Sequence, residues 1–384
     1  MGCKKWGKLL LSSVVVLSVL CLVVFDGGDI SISVAFSAAP SSGENSAVGT
    51  DSVPQLTAEE EKAWKAEPMY GKALPYAFFP SNCVGACRVA EILGFYEEEG
   101  LKVDCVKSTH YLDATATGNT VLCEAHIAES TVPILNGLEL VMVGTAMSGC
   151  QSLYVLNESD YKKTTDLVGK NVAIPQGFGT FDHNIVLRFM GRDGLKMSDY
   201  NFKVVERSAV VQALQRGEIS ASLLPDMFAY QFLADGIIRP IRSLTWDEDF
   251  NQDPCCTIIL NKTFAEENPI TAKKMTRALA KASAWIDTHT EESVQLMLDN
   301  GMMSLSDPRR RDKLVELQGS YDWTITNVQC ENALRSVLDD YKGFKLINPE
   351  LDTEKTLLKI WRPTLTDEEL KVVWAQGAAF DANN

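Results

Sequence analysis

Between Ala73 and Ser243 strand-length apolar runs alternate with runs of helical period, and the alternation starts twice. The first series is "ALPYAFFP", "LKVDCV", "TVLCEAHIA" and "LELVMVGTAM", with helical residues between and Gly100 closing the first helix. After "SLYVLNESDYKKTTDL" the second series opens with "NVAIP" and continues through "NFKVVE", "ISASLLP" and "IIRPIRSL". Such an order predicts an α/β chain of two lobes, each a mostly parallel sheet flanked by helices. "CCTIILNKTF" adds one more strand, and the amphipathic helices from about Thr271 to Leu338 have nowhere to pack except the first lobe. The chain is therefore expected to cross between lobes twice, near Asn157–Lys163 and near Asn251–Cys256. The expected bounds are 69–158 and 255–345 for lobe one, 159–254 for lobe two, and 346–384 for a C-terminal extension on lobe one.

Length and composition allow this: 384 residues, 46% hydrophobic and 23% charged, supply a sizeable core. The net charge of −15 argues against nucleic acid as a partner, because phosphate contacts need clustered Lys and Arg. The densest basic run, "DPRRRDK" (Asp307–Lys313), is expected to be a solvated helical face.

Residues 1–37 predict an export signal. Lys4, Lys5 and Lys8 precede an uncharged stretch from Leu9 to Phe25, and Ala35 and Ser37 supply the small residues a signal peptidase needs. An uncleaved membrane anchor and lipidation at Cys21 are the two other readings. All three place the folded part outside the cytoplasm, with membrane contact through the N-terminal segment in two of them. Residues 38–68, rich in Ala, Ser, Gly and acid, are expected to be a flexible spacer. Cys3 and Cys21 fall in the leader, which leaves eight cysteines whose pairing the sequence does not choose.

Three phrases carry a family resemblance. "GFYEEEGLKV" (Gly94–Val103), "DLVGKNVAIPQGFG" (Asp166–Gly179) and "ALQRGEISASLLPDMF" (Ala213–Phe228) follow one another at the expected spacing. In this they resemble the solute-binding proteins of ABC importers, of the nitrate/sulfonate/taurine type, across roughly Leu74–Thr288. Ser220 stands where that family usually has Asp. The resemblance implies a type II periplasmic-binding-protein-like fold. It also implies a small, anionic solute held in a cleft between lobes, delivery to permease subunits, and no catalysis or cofactor.

In parallel sheets ligands bind beyond the carboxyl ends of the strands. Four such ends are identifiable: Pro80–Cys87, Ala128–Val132, Gln176–Phe181 and Leu224–Phe228. Each meets a helix start, whose free N–H groups and dipole favour an anion. Asn82, Cys83, Ser130, Thr131 and Asp226 are thus candidate ligand-binding residues. Gly177 and Gly179 would let the backbone approach, while Thr180 would cap the next helix and face the cleft; an ordinary turn with an N-cap reads the same way. His183, three residues into that helix, is a further candidate. Cys83 and Cys87 share a helix face, and the vicinal Cys255 and Cys256 stand at the second crossing. They read as disulfides, as buried small side chains, or as a thiol wall for a metal or soft ligand. Their spacing matches zinc motifs poorly, so no metal is expected.

Two other classes compete. A thiamine pyrimidine synthase is similar in fold and Cys-rich, but only Cys255 and Cys256 echo its motif, and an export signal opposes a cytoplasmic enzyme. A ligand-sensing ectodomain would need the leader to stay as an anchor.

Overall fold

The computed structural model describes residues 56–382. The export segment, Cys21 and most of the expected spacer lie outside the described residues. Among the described residues the strands are β1 (Ala73–Phe78), β2 (Lys102–Lys107), β3 (Leu122–His126), β4 (Leu140–Ser148), β5 (Gln151–Leu156), β6 (Asn171–Ala173), β7 (Asn201–Lys203), β8 (Ala221–Pro225), β9 (Ile238–Ser243) and β10 (Pro254–Asn261). They form two five-stranded sheets, β2-β1-β3-β10-β4 and β7-β6-β8-β5-β9.

The two sheets repeat one plan. β1 runs parallel to β2 and β3, and β6 runs parallel to β7 and β8. One strand is antiparallel in each: β10 between β3 and β4, and β5 between β8 and β9. Helices cover both faces, so the central strands β3 and β10 are buried along their whole length. This is why they read as near-continuous apolar runs rather than alternating ones. Glu124 and His126 are the charged or titratable exceptions inside β3.

The first passage between sheets lies at Gly149 and Cys150, upstream of the expected Asn157–Lys163. Gln151–Leu156 pairs antiparallel with β8 and β9, so it belongs to the second sheet. In sequence it looks like a continuation of β4, because both are apolar and only two residues part them. Those two residues have φ of +82° and +79°, and such left-handed backbone re-aims the chain abruptly. The return passage occupies 244–253, overlapping the expected second crossing.

The end of the expected spacer is also ordered. Ala58–Lys65 is a helix with a capping box between Thr57 and Glu60. It has no apolar stripe. It is held through Trp64, whose indole N–H donates to Thr271 Oγ1 at 3.1 Å and whose ring lies under the Lys274 ammonium. Glu67 then caps the long helix Pro269–Thr288, accepting from the N–H groups of Ile270 and Thr271. That helix packs on β4 and on the helix Ala86–Ile92 of the first sheet, as the amphipathic pattern predicts. Asp367–Ala378 packs across it, and a Cβ at Gly377 would stand 2.2 Å from the Lys281 carbonyl oxygen, so only glycine permits this approach.

"DPRRRDK" is mostly solvated, with Arg309 89% exposed. Arg310 is the exception, pairing with Asp235 beyond the helix Asp226–Ala234 at 2.8 Å. No described helix is long and apolar enough to cross a membrane.

Candidate functional site

All four expected strand-end segments contribute to one cleft of about 480 Å³. Pro80–Val84 follows β1, His126 and Glu129 end or follow β3, Gln176 and Phe181 follow β6, and Pro225, Met227 and Phe228 end or follow β8. Cys150 from the first passage, Gln151 at the start of β5, Phe79, Thr109, Tyr111, Arg207 and the segment Met302–Ser304 line it as well. A surface groove of similar volume, about 470 Å³, lies between 191–198 and 339–345. No strand-end segment and none of the sequence-predicted site residues line it, so the chemistry points to the cleft.

The segments are as expected, but several side chains are not. Asn82 and Cys83 line the cleft, and the Asn82 amide faces Gln318 at 3.4 Å. Cys87 is buried behind them, its N–H donating to Glu124 Oε2 at 3.0 Å. Ser130 and Thr131 turn back on their own helix, donating to the carbonyls of His126 and Ile127 at 2.9 and 2.7 Å. Such bonds four residues back are the common fate of a hydroxyl within a helix. Gly177 and Gly179, with φ of +94° and +79°, shape the turn, while their neighbours Gln176 and Phe181 line the cleft.

Thr180 occupies the N-cap, yet its hydroxyl donates to the Gly177 carbonyl at 2.7 Å instead of capping. Asp182 binds back to the loop, accepting from the Gln176 N–H at 2.8 Å. His183 is buried beside Phe178 and Phe202, accepts from the Gly179 N–H, and has its proton affinity lowered by burial. Asp226 is fully buried at the start of the helix Asp226–Ala234. It accepts from Tyr154 Oη at 2.6 Å and from the Thr245 hydroxyl.

Buried carboxyls gather behind this wall. Burial raises Glu124 to about 7 and Asp182 and Asp226 to about 6. Hydrogen bonds from Cys87, Gln176 and Thr245 respectively oppose that rise.

Cys255 and Cys256, at the start of β10, meet His126 across the β3–β10 pairing, where Cys256 and His126 stand in register. Cys255 Sγ is 3.0 Å from His126 Nδ1 and 2.8 Å from Cys150 Sγ, and Cys256 Sγ is 3.9 Å from the same nitrogen. Burial alone would raise Cys255; hydrogen bonds from Cys150 and Cys256 and the facing His126 outweigh it and bring the thiol well below its usual range. Burial alone would lower His126; the sulfurs of Cys255 and Cys256 raise it well above its usual value. The eight described cysteines are free thiols. Sequence reasoning missed Cys150, Arg207 and the methionines of the cleft. His126, the last residue of β3, carries the same two readings in the sequence as His183, a cleft ligand or a structural histidine, and it lines the cleft.

The model of the family described as NMT1/THI5 like matches residues 84–293. A protein of Escherichia coli (strain K12) with the provisional name aliphatic sulfonates-binding protein is 25% identical over 232 residues, 59% of this chain and 68% of that one. The crystal structure of the periplasmic aliphatic sulphonate binding protein SsuA from Escherichia coli superposes with a TM-score of 0.60 at 19% identity, covering 76% of this chain and 92% of that one. The periplasmic nitrate-binding protein NrtA from Synechocystis PCC 6803 gives 0.59 at 15% identity, covering 81% and 90%. These two structures establish the periplasmic-binding-protein fold, and with the family match over more than half of its length the chain belongs to the NMT1/THI5-like family.

Proposed function

We propose that this chain is an extracytoplasmic solute-binding protein of an ABC importer, which captures a small anion in the cleft and hands it to permease subunits. One observation carries the anion: the Arg207 guanidinium lines the cleft, and its Nε has no hydrogen-bond partner among the described residues. A guanidinium is a strong, planar donor to sulfonate or carboxylate oxygens. The amides of Gln151 and Gln176 stand on the same wall, and Gln151 Oε1 is likewise unpartnered. The family and the relatives support transport over the enzyme or sensor readings, since a fold by itself does not set function. Asn82 and Cys83 would contact the solute directly. Cys87, Ser130, Thr131, Gly177, Gly179, Thr180, His183 and Asp226 would act by holding the loops that do.

The test is a thermal-shift screen of the purified chain with alkanesulfonates, nitrate, small carboxylates and neutral analogues. A solute at 100 times its Kd adds about 2.7 kcal/mol to the folded state. Stabilisation by one class of anion is expected. Stabilisation by neutral analogues alone, or turnover of a solute, would overturn the reading.

A further inference from the structure

We propose that Cys83, His126, Cys150 and Cys256 bind a thiophilic transition-metal ion, Zn²⁺ or one of similar preference, at the floor of the cleft. The proposal goes beyond solute capture and does not depend on it. The donor atoms of these four residues all lie within 4.8 Å of one another, and all four residues are buried. Around tetrahedral Zn²⁺, with bonds of about 2.0–2.3 Å, donors stand roughly 3.5–3.8 Å apart, so the set needs only a small contraction. Three sulfurs and one imidazole are a ligand set that soft and borderline ions prefer to hard ones.

Three further observations point the same way. Cys150 is one of only two non-glycine residues with positive φ among the described residues. Strain of this kind persists where the surroundings fix it. Cys255 supplies another sulfur beside the set, 2.8 Å from Cys150. The cleft is also lined by Met227, Met302 and Met303, whose thioethers are soft as well.

The four donors come from four places: the loop after β1, the end of β3, the passage between sheets, and the start of β10. An ion there ties the passage at Cys150 to β3, β10 and the loop after β1, all of the first sheet. It would fix one end of the first passage between the sheets.

The experiment uses the full chain, reduced and freed of metal, titrated with Co²⁺ and then with Zn²⁺. Co²⁺ is expected to give a sulfur-to-cobalt charge-transfer band and ligand-field bands of tetrahedral intensity, saturating at one equivalent and bleached by Zn²⁺. Zn²⁺ should also protect Cys83, Cys150 and Cys256 from alkylation, read by peptide mass. Cys83→Ser and Cys150→Ser should each weaken binding by more than the roughly 10–100-fold that loss of an outer-shell partner costs. Cys330→Ser, buried in a separate apolar cluster, should leave it unchanged. Circular dichroism confirms that each variant is folded, and the wild-type titration stands even if one is not. Absence of the charge-transfer band in reduced wild type, or a band that survives Cys83→Ser/Cys150→Ser, would overturn the proposal. So would a Cys150–Cys255 disulfide that is the sole stable state of the native chain.

Discussion

The guanidinium of Arg188 lies 3.1 Å from Asp340 Oδ2, although the two residues belong to helices packed on different sheets. Arg188 is 2% exposed and also pairs with Asp253, at the end of the return passage, at 3.1 Å. Ser336 accepts a further hydrogen bond at 3.2 Å. Removing one partner of a buried ion cluster leaves the others charged and unpaired, which costs about 3–5 kcal/mol. Arg188→Ala should therefore lower the urea midpoint by that equivalent, and Arg188→Met with Asp340→Leu should recover part of it. A midpoint for Arg188→Ala within error of wild type would remove this cluster from the account of stability.

The carboxyls behind the cleft predict a pH dependence. Burial raises Asp182 from 3.8 to about 6, and Glu129 adds to the rise, while the Gln176 N–H, Arg207 and His126 oppose it. Asp226 rises to the same level through burial. A carboxyl whose pKa is raised by folding holds its proton more tightly in the folded chain. Its stabilising contribution is complete below the unfolded value and is lost as pH rises through about 6. Denaturant unfolding should thus give a lower stability at pH 8 than at pH 5, by roughly 1–1.5 kcal/mol per group at most, since part of the effect is already lost between pH 4 and pH 5. Asp182→Asn should flatten the curve and stabilise the chain at pH 8, because one carboxylate oxygen has no partner to lose. A wild-type curve that is level across this range would refute the argument.

Two-lobed architecture was legible because helices on both faces of a sheet force long apolar strands at regular intervals. The passage at Gly149–Cys150 was not, since β5 is as apolar as the strand before it. Strand ends located the cleft segments, but not the directions of side chains within them. Ser130, Thr131 and Thr180 each found a carbonyl in their own segment, and no spacing rule announces that. The sulfur cluster was legible in part: Cys83, Cys255 and Cys256 read as a thiol wall among other readings, but Cys150 in the passage and His126, opposite Cys256 in the β3–β10 pairing, join them only in the fold.

Arg207 gives the sharpest test of the solute. Its Nε is buried without a partner among the described residues, and its guanidinium should bond an anion in the cleft. Arg207→Ala should cost about 1.5–3 kcal/mol of binding, the range for a hydrogen bond to a charged group. That is roughly a tenfold to hundredfold rise in Kd by calorimetry. Arg207→Lys keeps the charge but loses the planar fork, and should fall between. An unchanged Kd in Arg207→Ala would place the anion against another wall of the cleft.

Gly149 makes the passage between sheets possible on two counts. Its φ of +82° is left-handed, and an added Cβ would stand 2.8 Å from both Thr245 Oγ1 and Tyr321 Cδ1. Thr245 in turn accepts the Cys150 N–H at 3.0 Å and donates to Asp226, so displacing it disturbs three groups. Gly194 has a similar φ of +71° with nothing within 4 Å, and isolates the cost of the backbone alone. Gly194→Ala should cost about 1–2 kcal/mol. Gly149→Ala should cost that and a further 1–3 kcal/mol or so of overpacking. The difference between the two urea midpoints reports the crowding at the passage. Equal losses would mean that Thr245 and Tyr321 move aside freely, and that the passage tolerates a side chain wherever its backbone can be strained.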